Sequence, residues 1–139
     1  MQSILLVDAE GADASRLASA LEIDGFHVVV ATSAAAARAE VALGPLDLAI
    51  VDVMVRENGA ARGLEVARNI KASCPEMPVL LSSNYYLSER QLERVDCPTC
   101  GLITKPYDLA QIVSMIHAKL ERPCLTLGLW STPPRAAVG

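Results

Sequence analysis

The sequence is poor in aromatics: they make up 4% of its 139 residues, with one Phe, one Trp and three Tyr. Its core must therefore be aliphatic, and the abundant alanine suits a helix-rich globular chain rather than a disordered one. No apolar run approaches the ~20 residues that a membrane span needs. No basic segment followed by a long apolar stretch opens the chain, so no secretory signal is read. The expectation is a cytoplasmic protein that contacts no membrane. Basic charge is also scarce and scattered, with 12 Lys and Arg against 16 Asp and Glu. That leaves no electrostatic footprint for nucleic acid. No linker or internal repeat marks a second domain, and a single domain of this size buries roughly two-thirds of its unfolded surface.

A cysteine site is missing as well. Of the four cysteines, Cys97 and Cys100 have CxxC spacing, but they precede Gly101 and a short apolar run instead of opening a helix. A redox pair uses a helix N-terminus to lower a thiol pKa. Zinc needs four ligands, and neither His27 nor His117 is adjacent in sequence. All four are read as ordinary cysteines.

What the chain does have is alternation. Apolar runs at 4–7, 27–31, 48–53, 78–81 and 101–104 predict strands. Between them, helical patterns cover 13–24, 33–43, 63–73 and 88–95, and a last one runs from Asp108 to about Leu120. Ala14, Leu17, Ala18 and Leu21 follow the i, i+3, i+4, i+7 spacing of one helix face. Thr32 or Ser33 offers an N-cap for the second helix, and Asp108 with Gln111 has capping-box spacing for the last. Apolar strands separated by helices indicate a parallel sheet covered on both faces. The expected fold is α/β: a doubly wound, five-stranded parallel sheet of order 2-1-3-4-5, a flavodoxin-like (βα)5 unit over 1–120. Residues 121–139 form a C-terminal tail with no separate domain.

Such sheets bind ligands beyond the carboxyl ends of their strands, where the strand order reverses. Here the first strand runs into Asp8, the third carries Asp52, the fourth ends in Ser83 and the fifth is followed by Lys105. One shared polar site explains all four placements. A carboxylate can act as a phosphoryl acceptor, and the transferred group needs cationic stabilisation. Lys105 offers a point charge, Mg²⁺ held by carboxylates offers more, and Ser83 offers a hydroxyl donor.

The stretches "ILLVDAE", "DLAIVDVMV", "PVLLSSN" and "LITKPYDLAQIV" resemble a response-regulator receiver domain of two-component signalling over residues 1–120. The resemblance implies that Asp52 is the phosphoacceptor, Lys105 contacts the phosphoryl group and Ser83 is the switch hydroxyl. It also implies that Mg²⁺ is held by Asp8, Asp52 and the backbone carbonyl of Met54. The implied role is a stand-alone receiver with no output domain following. It takes phosphoryl from a histidine kinase or phosphotransfer protein and signals through an unknown downstream protein. Its only catalysis would be its own phosphorylation and dephosphorylation. Pairing of two copies through the fourth and fifth units is a further option the family offers.

The departures are specific. The family usually carries two adjacent acids after the first strand, and Ala9 stands where the second, more direct magnesium ligand would be. Leu102 stands where many receivers carry Tyr or Phe. After Asp52, "VMVRENGAARGLEV" has Arg56 in place of the usual proline and is about three residues longer than common. Ala9 and the altered loop support an alternative, a degenerate receiver that binds a protein without phosphorylation. A small flavodoxin-like enzyme or flavin carrier on the same fold is disfavoured, because the acidic "DAEGADAS" would repel a phosphate. Ser82 is one residue from Ser83, and a one-residue slip would exchange them. Glu10 is read as solvent-facing, Tyr85 and Tyr86 as a local pair near a partner-facing loop, and the apolar tail with Trp130 as docked on the domain.

Overall fold

In a computed structural model the chain is described over residues 2–8, 11–83, 101–104 and 107–121. The elements, in order, are β1 (Ser3–Val7), α1 (Gly11–Ile23), β2 (His27–Ala31), α2 (Ala34–Leu43) and β3 (Leu48–Asp52). They continue with β4 (Arg56–Glu57), β5 (Ala60–Ala61), α3 (Gly63–Ser73), β6 (Val79–Ser83), β7 (Gly101–Thr104) and α4 (Leu109–Glu121). The main sheet has order β2-β1-β3-β6-β7 with every pairing parallel, which is the expected 2-1-3-4-5 arrangement. The helix expected over 88–95, Tyr85, Tyr86, Cys97, Cys100 and the tail from 122 with Cys124 and Trp130 lie outside the described residues.

Strand periodicity divides the core in two. Leu5, Val7, Ala49, Val51, Val79 and Leu81 point to one face and pack with α2 and α3. Ile4, Leu6, Leu48, Ile50 and Leu80 point to the other and pack with α1 and α4 through Leu17, Leu21, Ile112 and Ile116. Every residue of β3 and β6 is buried, as a sheet covered on both faces requires. Leu102 packs with the first group, opposite Leu81.

The helix starts follow their caps. Ser33, extended at φ −150°, accepts from the Ala36 amide at 3.1 Å, and so supplies the cap of α2. Asp108 Oδ1 accepts from the Gln111 amide at 3.1 Å and starts α4. Both satisfy an amide that the first helical turn leaves unpaired.

The extra length after Asp52 takes a form the sequence reading did not anticipate. Residues 56–61 fold into a two-stranded antiparallel ribbon, with Arg56 opposite Ala61 and Glu57 opposite Ala60. Its central residues, Asn58 and Gly59, have φ of 53° and 82°, the positive values that a two-residue I′ turn demands. The Arg56 guanidinium donates to the Gly59 carbonyl at 2.9 Å, and Glu57 pairs with Arg38 on α2.

Candidate functional site

The parallel register lines up the polar residues at the carboxyl edge. Val7 pairs with Val51 across β1 and β3, so Asp8 continues one step beyond, beside Asp52. Asp52 in turn pairs with Ser82 across β3 and β6. Asp8, Asp52 and Ser82 thus form a row over three adjacent strands, at the reversal point of the strand order. All are buried: Asp8 is 0% exposed, Asp52 2% and Ser82 0%.

Burying carboxylates is costly unless donors meet them. Asp52 Oδ1 accepts from the Met54 amide at 2.9 Å, which folds the chain back just after β3. The Val55 amide donates to the Asp52 carbonyl at 3.1 Å, and the Val53 amide donates to the Ser82 carbonyl at 2.9 Å. The Asp8 amide donates to the Ala31 carbonyl at 3.0 Å, extending the β1–β2 ladder by one rung. These bonds fix the backbone on both sides of the site.

The first turn of α3 presses on the same segment. A Cβ on Gly63 would lie 2.1 Å from the Asp52 carbonyl oxygen and 2.4 Å from the Val53 Cα. Only glycine lets the helix start there.

Tyr107 is the site residue that sequence reading missed. Its hydroxyl lies 3.0 Å from Asp8 Oδ2 and 3.3 Å from Ser82 Oγ. A carboxylate oxygen accepts, so the phenol proton goes to Asp8 and Ser82 turns its own proton to the phenol oxygen. Strands lie ~4.8 Å apart, so the main chains of Asp8 and Ser82 are roughly 10 Å apart across β3. One hydroxyl touching both side chains therefore arches over the strand that carries Asp52. The signal in the sequence was an aromatic with a polar tip two residues after Lys105.

Ser83 is also buried, at 1% exposure, and sits opposite Thr104 in the β6–β7 register. The structure thus brings together Asp8, Asp52, Met54, Ser82 and Tyr107, while Ser83 lies one residue further along β6 and, by strand alternation, turns to the opposite face of the sheet from Ser82. Lys105, Ala9 and Glu10 lie outside the described residues. Among the described residues, no group of three or more His, Cys, Asp or Glu forms a metal cluster. A groove of about 520 Å³ between α2 and α3, lined in part by Arg38, Val41, Ile70 and Cys74, holds none of the site residues.

The donor set can still be tested against Mg²⁺. Two buried carboxylates on neighbouring strands are hard oxygen donors, and Mg²⁺ commonly takes one or two with water in its other positions. Asp8 and Asp52 fit that requirement, and the Met54 backbone adjoins Asp52. With Ala9 as neighbour, Asp8 has no second acid beside it in the chain.

Residues 4–117 match the family model of the response regulator receiver domain. RegA of Rhodobacter capsulatus, a photosynthetic apparatus regulatory protein, is 28% identical over 86% of this chain and 64% of its own length. The response regulator MprA of Mycobacterium leprae is 30% identical over 86% of this chain and 51% of its own length. The TcrX protein of Mycobacterium tuberculosis is 26% identical over 89% of this chain and 52% of its own length. The chain thus spans about half to two-thirds of these three relatives, and only about a quarter of the regulators NtrC of Rhizobium meliloti and NtrX of Azorhizobium caulinodans. Among solved structures, a CheY-like receiver domain protein of Methanospirillum hungatei superposes with a TM-score of 0.78. It is 22% identical, over 87% of this chain and 94% of that one, a likeness of fold.

Proposed function

The chain belongs to the response-regulator receiver family, and on that premise we propose that Asp52 accepts a phosphoryl group from a histidine kinase or phosphotransfer protein. The observation that carries this is the place of Asp52: buried, on the middle strand of the row Asp8–Asp52–Ser82, at the carboxyl edge of the sheet. A carboxylate oxygen attacks the phosphorus of a phosphohistidine. The O–P bond forms as the N–P bond breaks, and the imidazole nitrogen keeps the electron pair. The Met54 amide, already bonded to Oδ1, holds the carboxylate in place for that attack.

Asp8, Asp52 and the Met54 carbonyl would hold Mg²⁺, which supplies charge neutralisation for the phosphoryl oxygens when bound. Lys105 adds a point charge by the family resemblance, and Ser83 is the hydroxyl drawn to the acyl phosphate. Rearrangement of the fourth and fifth units then presents a changed surface to a protein partner, a population shift between two states. In this reading the protein works in the cytoplasm and catalyses only its own phosphorylation and dephosphorylation. Incubation with acetyl phosphate and Mg²⁺ tests it: a base-labile adduct that Asp52→Asn abolishes supports it, and its absence sinks it.

A second reading, a receiver that binds its partner without phosphorylation, is favoured by one observation. The Tyr107 hydroxyl already engages one carboxylate oxygen of Asp8, Oδ2, at 3.0 Å. Titration with Mg²⁺ separates the two: no binding at tens of millimolar, together with partner binding unaffected by Asp52→Asn, selects the second.

A further inference from the structure

We propose that Tyr107 is a positioning residue that competes with the divalent cation for Asp8, so that metal binding at the carboxyl edge and the start of α4 are coupled. The proposal rests on reading Asp8 and Asp52 as a cation pocket. It goes beyond that reading by assigning Tyr107 a role.

The geometry is direct. Tyr107 Oη is 3.0 Å from Asp8 Oδ2 and 3.3 Å from Ser82 Oγ, and all three residues are less than 10% exposed. The phenol thus donates a charge-assisted hydrogen bond to a carboxylate where water is nearly excluded. That bond lowers the energy of the cation-free pocket by spreading the charge of Asp8 onto a donor. A cation that draws Asp8 inward must offset the loss of part of this bond. In the sequence Ala9, not an acid, follows Asp8, and Tyr107 carries the hydroxyl that reaches its carboxylate. An Asp8 carboxylate already met by a donor draws a cation less strongly than a bare one.

The phenol is also mechanically connected. Tyr107 precedes Asp108, whose carboxylate caps α4 through the Gln111 amide at 3.1 Å. Tyr107 belongs to the core cluster beneath α1 and α4 that also holds Ile103 and Ile112. When Asp8 turns towards a cation, the hydroxyl gives up part of its bond to the carboxylate, and the segment that starts α4 feels the change. By linkage, whatever holds that segment in place also sets cation affinity.

The experiment is a Mg²⁺ titration of the full chain by calorimetry, in the wild type, Tyr107→Phe, Ser82→Ala and Asp8→Asn. Tyr107→Phe keeps the ring and removes one oxygen. Losing a hydrogen bond to a charged group should tighten Mg²⁺ binding roughly tenfold. The Mg²⁺-induced rise in unfolding temperature should grow with it. Ser82→Ala leaves Asp8 intact and should shift affinity the same way by less, which keeps the test decisive if Tyr107→Phe does not fold. Asp8→Asn should abolish Mg²⁺ binding, which locates the cation on Asp8; binding that survives in Asp8→Asn with the same response to Tyr107→Phe overturns the proposal. Affinity that is unchanged or weaker in Tyr107→Phe, or no binding in any variant, overturns the proposal. Acetyl phosphate labelling of the same samples keeps the two questions apart. An adduct on Asp52 without the affinity change refutes the coupling alone, whereas the affinity change without an adduct refutes phosphoacceptance alone.

Discussion

Gly63 meets Asp52 backbone to backbone: a Cβ at Gly63 would lie 2.1 Å from the Asp52 carbonyl oxygen. The first turn of α3 thus seats directly on the end of the strand that carries the candidate phosphoacceptor. Gly63→Ala should destabilise the fold by about 3 kcal/mol, because neither backbone can yield without breaking the turn after β3. It should also lower phosphoryl acceptance in the fraction that stays folded. Urea unfolding measures the first, and a change within about 0.5 kcal/mol would show that the contact relaxes freely.

Tyr107→Phe should cost about 1–3 kcal/mol in the absence of divalent cations, since Asp8 and Ser82 both lose a buried partner. Chemical denaturation in EDTA measures it. A neutral result would mean that other partners already satisfy Asp8.

The caps give a local test of the helix starts. Ser33→Ala and Asp108→Ala should each cost about 1 kcal/mol, the usual value of an N-cap hydrogen bond. The two sites lie on different helices, so the double variant should show additive losses. Strong non-additivity would show that α2 and α4 communicate.

The ribbon is tied to α2 by the pair Arg38–Glu57. The Arg38 side chain, by hydrogen bond and charge, holds the Glu57 carboxyl below its ordinary range, and Glu57 holds Arg38 above its own. A lowered carboxyl contributes stability above its ordinary range, and that contribution fades as pH falls through the lowered value. Replacing Arg38 with Ala should therefore flatten the loss of stability below about pH 4.3. Arg38 is exposed and Glu57 only partly covered, so the effect should be small and should vanish in molar salt. Matching acid profiles with and without Arg38 would contradict the pairing.

Local pattern was enough for most of the architecture. Valine and leucine runs of strand length, punctuated by caps at Ser33 and Asp108, located the elements because each signal acts within a few residues, and the strand order followed from how alternating strands and helices pack as a doubly wound sheet. The ribbon at 56–61 escaped notice because its flanks, Arg-Glu and Ala-Ala, carry no apolar alternation. Its one cue was the Asn58-Gly59 pair. Asp8 and Asp52 were legible because an acid at the end of an apolar strand stands out against its run. Tyr107 was not, since its contact with Asp8 closes across 99 residues and no local spacing encodes it. Ser82 and Ser83 were open to exchange by a one-residue slip. Only the sheet register shows that Ser82 pairs with Asp52 while Ser83 pairs with Thr104.

The most direct test of the account is intact-protein mass spectrometry after incubation with acetyl phosphate and Mg²⁺, comparing the wild type with Asp52→Asn. The account predicts one phosphoryl adduct on the wild type, lost on mild base treatment and absent from Asp52→Asn. No adduct on the wild type, or an equal adduct on Asp52→Asn, would contradict it.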